Sequence, residues 1–277
     1  MPRRARVIVT TYERLPWLRL ALRAWCRQTF QDFALTVADD GSGPETTSFV
    51  KEFAATAPFP VDHVWWENKG FRRAAILNEA VRRSSDEALL LFTDGDCIPP
   101  ADFLEGHLRV HGPRSFAVGG AIKLTLAASD ALTGADIDTG RHERLGSFFD
   151  RFELRRKRWK SIWGVALRRP RRPKVVGLNV GMDRALFEEI NGYDESFVGW
   201  GLEDSDVRDR VMASRPRPVV RVLYGTNDTI HLWHPAATTM RQHVNRPYYE
   251  AEGRPVRCVN GLRDERLTAS TTPVVAT

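Results

Sequence analysis

The chain predicts an α/β fold with a mostly parallel central sheet flanked by helices, and three observations predict it. Short apolar runs alternate with helical patterns from the start of the chain. The run Leu89–Phe92 reads as a buried strand that ends in two aspartates, Asp94 and Asp96, around Gly95. Polar clusters follow several strands, on the edge where open α/β sheets carry their ligands.

In order, Arg6–Thr10 is a strand, and Leu18, Leu22 and Trp25 recur behind it at helical spacing. Phe33–Ala38 is the second strand, 44–55 a helix, Val61–Trp66 extended and 71–83 a helix. Ala88–Phe92 is the buried strand, 101–110 a helix and 116–124 a further strand. Regular pattern then weakens up to Lys174. The segment 175–182 is extended, 184–190 helical, and a glycine-rich turn, FVGWGLED, leads into a helix from about Ser205 to Met212. Residues 219–223 form another strand. From Arg246 the tail is polar and irregular, ending in Thr, Ser and Pro residues expected to be loose. No internal repeat is evident.

At 277 residues and 42% hydrophobic content the chain can bury a sizeable core as one large domain or two small ones. No apolar run approaches the roughly 20 residues of a membrane-spanning helix, and Arg3, Arg4 and Arg6 lead into a short strand rather than a secretory leader. A cytoplasmic protein is expected. Cys26, Cys97 and Cys258 lie far apart, which suits reduced thiols and argues against a cysteine-based zinc site. Charge is uneven: 141–174 holds 13 Lys and Arg against 3 Asp and Glu, leaving 28 basic and 32 acidic residues elsewhere. So local an excess suits an anionic membrane surface, a phosphorylated acceptor or nucleic acid. Phe148, Phe152, Trp159 and Ile162 in this segment fall at helical spacing, which fits either a membrane-interface helix or acceptor flap, or a helix packed on the core by those aromatics.

Three groups of residues carry chemistry. Asp94 and Asp96 suit Mg2+ or Mn2+, which share their coordination sphere between carboxylates and a substrate diphosphate, with Gly95 leaving room; the same tripeptide is also an ordinary strand exit. Thr10, Thr11 and Tyr12 after the first strand, and Asp39 and Asp40 after the second, mark the same edge. GWGLEDSD, 199–206, sets Trp200 as a sugar platform beside Glu203 and Asp204, one of them a candidate general base, unless the carboxylates only complement the helix dipole. HLWHP adds His231 and His234 as candidate Mn2+ ligands.

With TDGDC downstream, the run VIVTTYERLPWLRLALRAWCRQTFQDFALTVADDGS resembles the nucleotide-binding half of family 2 glycosyltransferases of the GT-A fold, a Rossmann-like architecture. The part GLNVGMDRALFEEINGYDESFVGWGLEDSDVRDRV resembles the acceptor half of β-1,4-galactosyltransferases, N-acetylgalactosaminyltransferases and bacterial polymerising transferases, and FRRAAILNEAV is similar to their donor-binding helix. The resemblance implies a nucleotide-sugar-binding half at 1–124 and an acceptor-binding and catalytic half at 175–245; the basic aromatic insertion or flap at 125–174 and the irregular tail at 246–277 have no counterpart in it.

The resemblance further implies an inverting, metal-dependent transfer from a nucleoside-diphosphate sugar, UDP-linked by preference, to an acceptor hydroxyl. Thr10, Tyr12 and Asp40 would hold the base and ribose, Phe71 and Arg73 would line the donor and its diphosphate, and Asp94 would touch the ribose or sugar. Asp96, the second aspartate of the D-x-D motif, would hold Mn2+ or Mg2+ with His231. Trp200 would pack on a sugar, Glu203 would bind the acceptor, and Asp204 would deprotonate its hydroxyl. Two departures stand out: many relatives have P-x-Y-N where this chain has Thr10, Thr11, Tyr12 and Glu13, and the family's second glycine of GWGGED is Leu202.

A sugar-nucleotide-forming nucleotidyltransferase is the alternative enzyme, but its glycine-rich basic loop after the first strand is replaced by TTYERLP. A nucleic-acid module on an inert scaffold would leave the acidic edge, GWGLED and HLWH without a role, so no nucleic acid partner is expected.

Overall fold

The computed structural model describes residues 5–235 and 244–263; Arg3, Arg4 and the Thr, Ser and Pro end of the tail lie outside them. Seven strands form the main sheet: β1 (Ala5–Thr11), β2 (Phe33–Asp39), β3 (Val61–Trp65), β4 (Leu89–Asp94), β6 (Ser115–Val118), β8 (Val180–Asp183) and β9 (Val219–Val222). Their order is β3-β2-β1-β4-β8-β6-β9, parallel except at β8, which runs against both β4 and β6. A small second sheet joins β5 (Cys97–Ile98), β10 (Thr229–His231) and β7 (Ala121–Lys123) in the order β5-β10-β7.

Both faces of the central strands β1, β2 and β4 are buried, as their apolar runs require, while the edge strands β3 and β9 are partly exposed. In β1, Ala5, Val7 and Val9 join one core cluster while Ile8 joins the other; in β4, Leu89 and Leu91 alternate likewise with Leu90 and Phe92. Helices α1 (Leu15–Trp25), α2 (Pro44–Thr56) and α4 (Phe103–Val110) contribute Leu18, Leu22, Trp25, Val50, Phe103 and Leu104 to the first cluster. Helices α3 (Arg73–Arg82), α8 (Arg184–Glu189) and α9 (Glu203–Ala213) supply Ile76, Leu77, Leu186, Phe187 and Val207 to the second.

Strand order places the site. The chain leaves β1 for β2 and β3 on one side and returns to β4 on the other, so a topological switch point opens between β1 and β4. Parallel register levels Thr10 with Ala38 and Asp94 there. Antiparallel β8, with Val180 opposite Phe92, brings its leading residues Gly177–Asn179 to the same edge. In the small sheet, His231 pairs with Cys97, beside Asp96.

Several sequence expectations are corrected. The strand expected over 116–124 is two strands in different sheets, broken at Gly119 and Gly120. A Cβ on Gly119 would meet the Asn179 amide at 2.2 Å, and one on Gly120 would meet Leu154, Asp228 and Tyr224 within 2.7 Å, so the break admits long-range neighbours. The stretch without clear pattern holds α5 (Leu126–Asp130), α6 (Gly134–Asp138), a short 3-10 turn (Arg141–Arg144) and α7 (Phe148–Ala166), the last opened by a capping box between Ser147 and Asp150. The tail expected to be irregular from Arg246 opens with a short helix, α10 (Arg246–Tyr249), and farther along Arg82 donates to the Gly261 and Leu262 carbonyls and Asn191 to that of Cys258.

Candidate active site

Arg73, the first residue of α3, lies across the sheet edge as its electrostatic centre. Nη2 donates to Asp94 Oδ1 and to the Gly177 carbonyl, both at 3.1 Å, while Nη1 donates to Asp204 Oδ1 at 3.0 Å and lies 3.7 Å from Glu203 Oε1. One buried cation thus joins the end of β4 to the start of α9. Burial alone would lower the Arg73 pKa; Asp204 and then Asp94 reverse this and hold it well above its ordinary value. For Asp94, burial pushes the carboxyl up, but Arg73 and the Thr10 hydroxyl, which donates at 2.7 Å, outweigh it and keep the group below the usual range. Both terminal nitrogens of Arg73, the residue expected to line the diphosphate, are engaged by protein oxygens.

The acidic start of α9 separates by partner. Asp204 Oδ1 also accepts from Tyr193 Oη at 3.2 Å, and a Cβ on Gly177 would come within 2.2 Å of Oδ2, so only glycine leaves room for this carboxylate. Glu203 is buried, its Oε2 has no hydrogen-bond partner, and burial followed by repulsion from Asp204 pushes its pKa up to about 7. Asp206 is structural: it accepts from Arg210 at 2.8 Å and from Arg254. The turn before the helix is tied to the segment that leads into α3, because Gly199 N–H donates to the Phe71 carbonyl at 2.9 Å, with Phe71 and Trp200 both exposed.

Both departures from the family pattern fall at left-handed backbone. Leu202 precedes α9 with φ 76°, and Glu13 has φ 54°, where asparagine is much better tolerated. Glu13 offsets its conformation locally: its N–H donates to Ser42 Oγ at 2.7 Å and its carboxylate accepts from Gly43 N–H at 3.0 Å.

Across β4, Asp96, His231 and His234 bring one ligand atom each within 4.8 Å of one another. Asp96 Oδ1 lies 3.9 Å from His231 Nε2, and Oδ2 lies 3.5 Å from His234 Nε2. In neutral His234, Nδ1 donates to the Pro235 carbonyl at 2.9 Å, which leaves the Nε2 lone pair facing Asp96. Two acceptors opposed in this way are the arrangement that a cation between them relieves, and the fixed second nitrogen is the support metal-binding histidines use. Burial lowers the His231 pKa, keeping a lone pair available, while burial and then Asp94 raise that of Asp96. A carboxylate with two imidazoles suits Mn2+ better than the oxygen-preferring Mg2+. Sequence reasoning preferred His231 over His234; the geometry brings in both.

Asp40, expected at the base, is buried and accepts from Trp66 Nε1 and from Arg72 N–H, each at 2.7 Å, so its side chain shapes the pocket floor. Tyr12 stands half-exposed, its hydroxyl accepting from Asn68 at 2.8 Å. Gly95 N–H donates to the Thr10 carbonyl at 2.7 Å, and a Cβ there would press on that oxygen at 3.0 Å. Trp66, Arg72, Gly177 and Tyr193 were missed. Trp66 had a signal, an aromatic closing a strand before the donor helix, whereas Gly177 and Tyr193 acquire their place from the direction of β8, which no periodicity encodes.

The switch-point cleft and its acidic edge define the class of architecture: this is the GT-A fold of glycosyltransferases. Residues 6–129 match the family model described as Glycosyl transferase family 2, and residues 166–235 match that of the N-terminal domain of galactosyltransferase, in the order the sequence resemblance implied. Two curated relatives, the validoxylamine A glucosyltransferases of Streptomyces hygroscopicus subsp. jinggangensis (strain 5008) and subsp. limoneus, are each 28% identical over 239 residues, covering 79% of this chain. The matches cover 54% and 50% of the relatives, so the chain spans about half their length. Among solved structures, the mannosyltransferase PcManGT of Pyrobaculum calidifontis, in complex with GDP-Man and Mn2+, superposes with TM-score 0.56 at 18% identity over 88% of this chain and 59% of its own. TarS of S. aureus, residues 1–349 in complex with UDP-GlcNAc, superposes with TM-score 0.54 at 15% identity over 84% of this chain and 60% of its own.

Proposed function

We propose that the protein transfers a hexosyl group from a nucleoside-diphosphate sugar, UDP-linked by preference, to an acceptor hydroxyl in one displacement with inversion. The observation that carries this reading is the Arg73 bridge, which draws a donor-side carboxylate, Asp94, and an acceptor-side carboxylate, Asp204, to a single cleft. The names of the two Streptomyces relatives support a glucosyl-type donor, and the PcManGT and TarS complexes support nucleotide-sugar chemistry on this fold.

Thr10, Tyr12 and Asp40 hold the base and ribose, Phe71 flanks the donor, Gly95 lets the backbone after β4 close on the Thr10 carbonyl and Asp94 steers the ribose or sugar. Arg73 acts as a positioning residue, fixing Asp94 and Asp204 relative to each other. Asp96, His231 and His234 would hold a divalent cation, Mn2+ by their chemistry, which would supply positive charge to the leaving diphosphate. Trp200 stacks on a sugar and Glu203, protonated below about pH 7, donates to the acceptor. Asp204 has Oδ1 fixed by Arg73 and Tyr193, so Oδ2 takes the acceptor's proton. No covalent enzyme intermediate is needed.

Asp204→Asn tests the assignment, since an amide oxygen still accepts from Arg73 and Tyr193 but cannot take a proton. Transfer falls about a hundred- to ten-thousand-fold while nucleotide affinity is kept. Loss of nucleotide binding with transfer retained would assign Asp204 to the donor instead.

A further inference from the structure

Helix α7 carries chemistry that sugar transfer does not use. It meets the body of the protein through Leu154, Ser161 and Gly164, a narrow contact of small and aliphatic groups. Its aromatics point the other way: Phe148 is 75% exposed, Phe149 76%, Phe152 54%, Trp159 60% and Trp163 61%, and Leu167 just beyond the helix is 59% exposed. At about 100° per residue these six fall within roughly 100° of one another around the axis, opposite the buried side. The alternative that these rings pack the helix onto the core is thereby excluded.

Arg155, Arg156, Lys157, Arg158 and Lys160 surround the stripe, and Arg168, Arg169, Arg171 and Arg172 follow it. Two concavities continue from it. The first lies among Phe152, Arg156, Trp159, Lys160, Trp163 and Leu167. The second, about 650 Å3, is walled by Arg168, Arg171, Arg217 and Tyr249, with Asp209 and Glu250 also in its lining; Arg169 and Arg172 border both. Asp209 is engaged by Arg208 and Tyr249, and Glu250 by Arg246, so the surplus charge of this surface is positive.

We propose that α7 and the arginine turn 168–172 dock the protein on an anionic phospholipid bilayer, the aromatic stripe entering the interface and the arginines meeting headgroup phosphates. Tryptophan and phenylalanine on one side with lysine and arginine around them is the composition of helices that lie in a membrane interface. Charge complementarity selects an anionic leaflet. Single-stranded nucleic acid fits less well: Phe148 lies 6.4 Å from Phe152 with a 19° interplanar angle and edge-on to Phe149, so the exposed rings form one joint apolar patch rather than separate platforms for successive bases. A second copy of the same face would meet it with 13 basic against 3 acidic residues over 141–174. The proposal is independent of the transfer reaction, and either can fail without the other.

The test is co-sedimentation of the full chain with vesicles of neutral phosphatidylcholine, with and without about 30% phosphatidylglycerol, read beside quenching of tryptophan emission by bromine-labelled lipid chains. The expected result is binding to the anionic vesicles alone, with quenching, and about thirty-fold weaker partition in Arg155→Gln/Arg156→Gln. Trp159→Phe/Trp163→Phe keeps partition and loses most of the quenching, which a purely ionic contact would not do. Equal partition to neutral vesicles, no partition, anionic binding without quenching, or an oligonucleotide bound with these side chains and displacing the vesicles would each overturn the proposal. Unchanged far-ultraviolet circular dichroism of the variants keeps the comparison about binding.

Discussion

Replacing Arg73 by methionine keeps its aliphatic stem and deletes the cation that three carboxylates share. Arg73 makes hydrogen bonds to Asp94, Asp204 and the Gly177 carbonyl, and Glu203 lies 3.7 Å away. Removing one partner of a fully buried ion pair costs about 3–5 kcal/mol, because the remaining charge is left uncompensated, and the lower end applies here because Asp94 and Asp204 are only part-buried. Part of that cost is recovered by protonation, and the recovery fixes the pH dependence. In the native protein Asp94 is held below its ordinary pKa, so its contribution to stability is present above the unfolded value and is lost as pH falls through the folded one. In Arg73→Met, burial acts without the cation and places the folded pKa above the unfolded value. The carboxylate then costs stability as pH rises between the two values, about 1.4 kcal/mol for each tenfold fall in proton concentration. The deficit is therefore about 3 kcal/mol at pH 8 and roughly half that at pH 5. Urea unfolding followed by tryptophan fluorescence at both pH values measures it, provided the denaturant slope is unchanged. A deficit below about 1 kcal/mol at pH 8, or one independent of pH, would show that Arg73 does not organise the site.

Glu203→Gln reverses the sign. With its pKa pushed up to about 7, Glu203 stabilises the native state fully below the unfolded value of 4.5, and that contribution is lost as pH rises through 7, so the glutamine variant gains on wild type by on the order of 2 kcal/mol between pH 5 and pH 8. Paired denaturation curves check this, and a difference constant with pH would contradict it. At Leu202, φ 76° predicts that Leu202→Gly is more stable than Leu202→Ala by about 1 kcal/mol, the reverse of the ordinary helix order. Thermal unfolding of the pair decides, and alanine equal to or better than glycine would mean that the backbone there is relaxed.

The N-terminal half was legible because its strands are apolar on both faces and its helices recur at 3.6 residues, so β1 to β4 and the helices between them fall within a few residues of expectation. Asp94 and Asp96 stood out because both flank Gly95 at a strand end, and Asp204 because it follows the glycine-rich turn at the start of α9. Strand direction was not: the apolar run that becomes β8 reads the same either way, yet its antiparallel course brings Gly177 beside Asp204 and Arg73. Strands of two and three residues, β5 and β10, carry no period, so the joining of His231 to Asp96 was open to motif likeness alone. Arg73 was recognised as a site residue, but its engagement with carboxylates from two distant segments depends on tertiary closure.

The central claim is a metal-assisted nucleotide site at the switch point, and isothermal calorimetry of UDP tests it most directly. Binding is expected with Mn2+, and about tenfold or more weaker after chelation or in Asp96→Asn, by the loss that follows removal of a metal ligand or its support. UDP binding of equal strength with and without Mn2+, or no nucleotide binding by the folded protein, would contradict it.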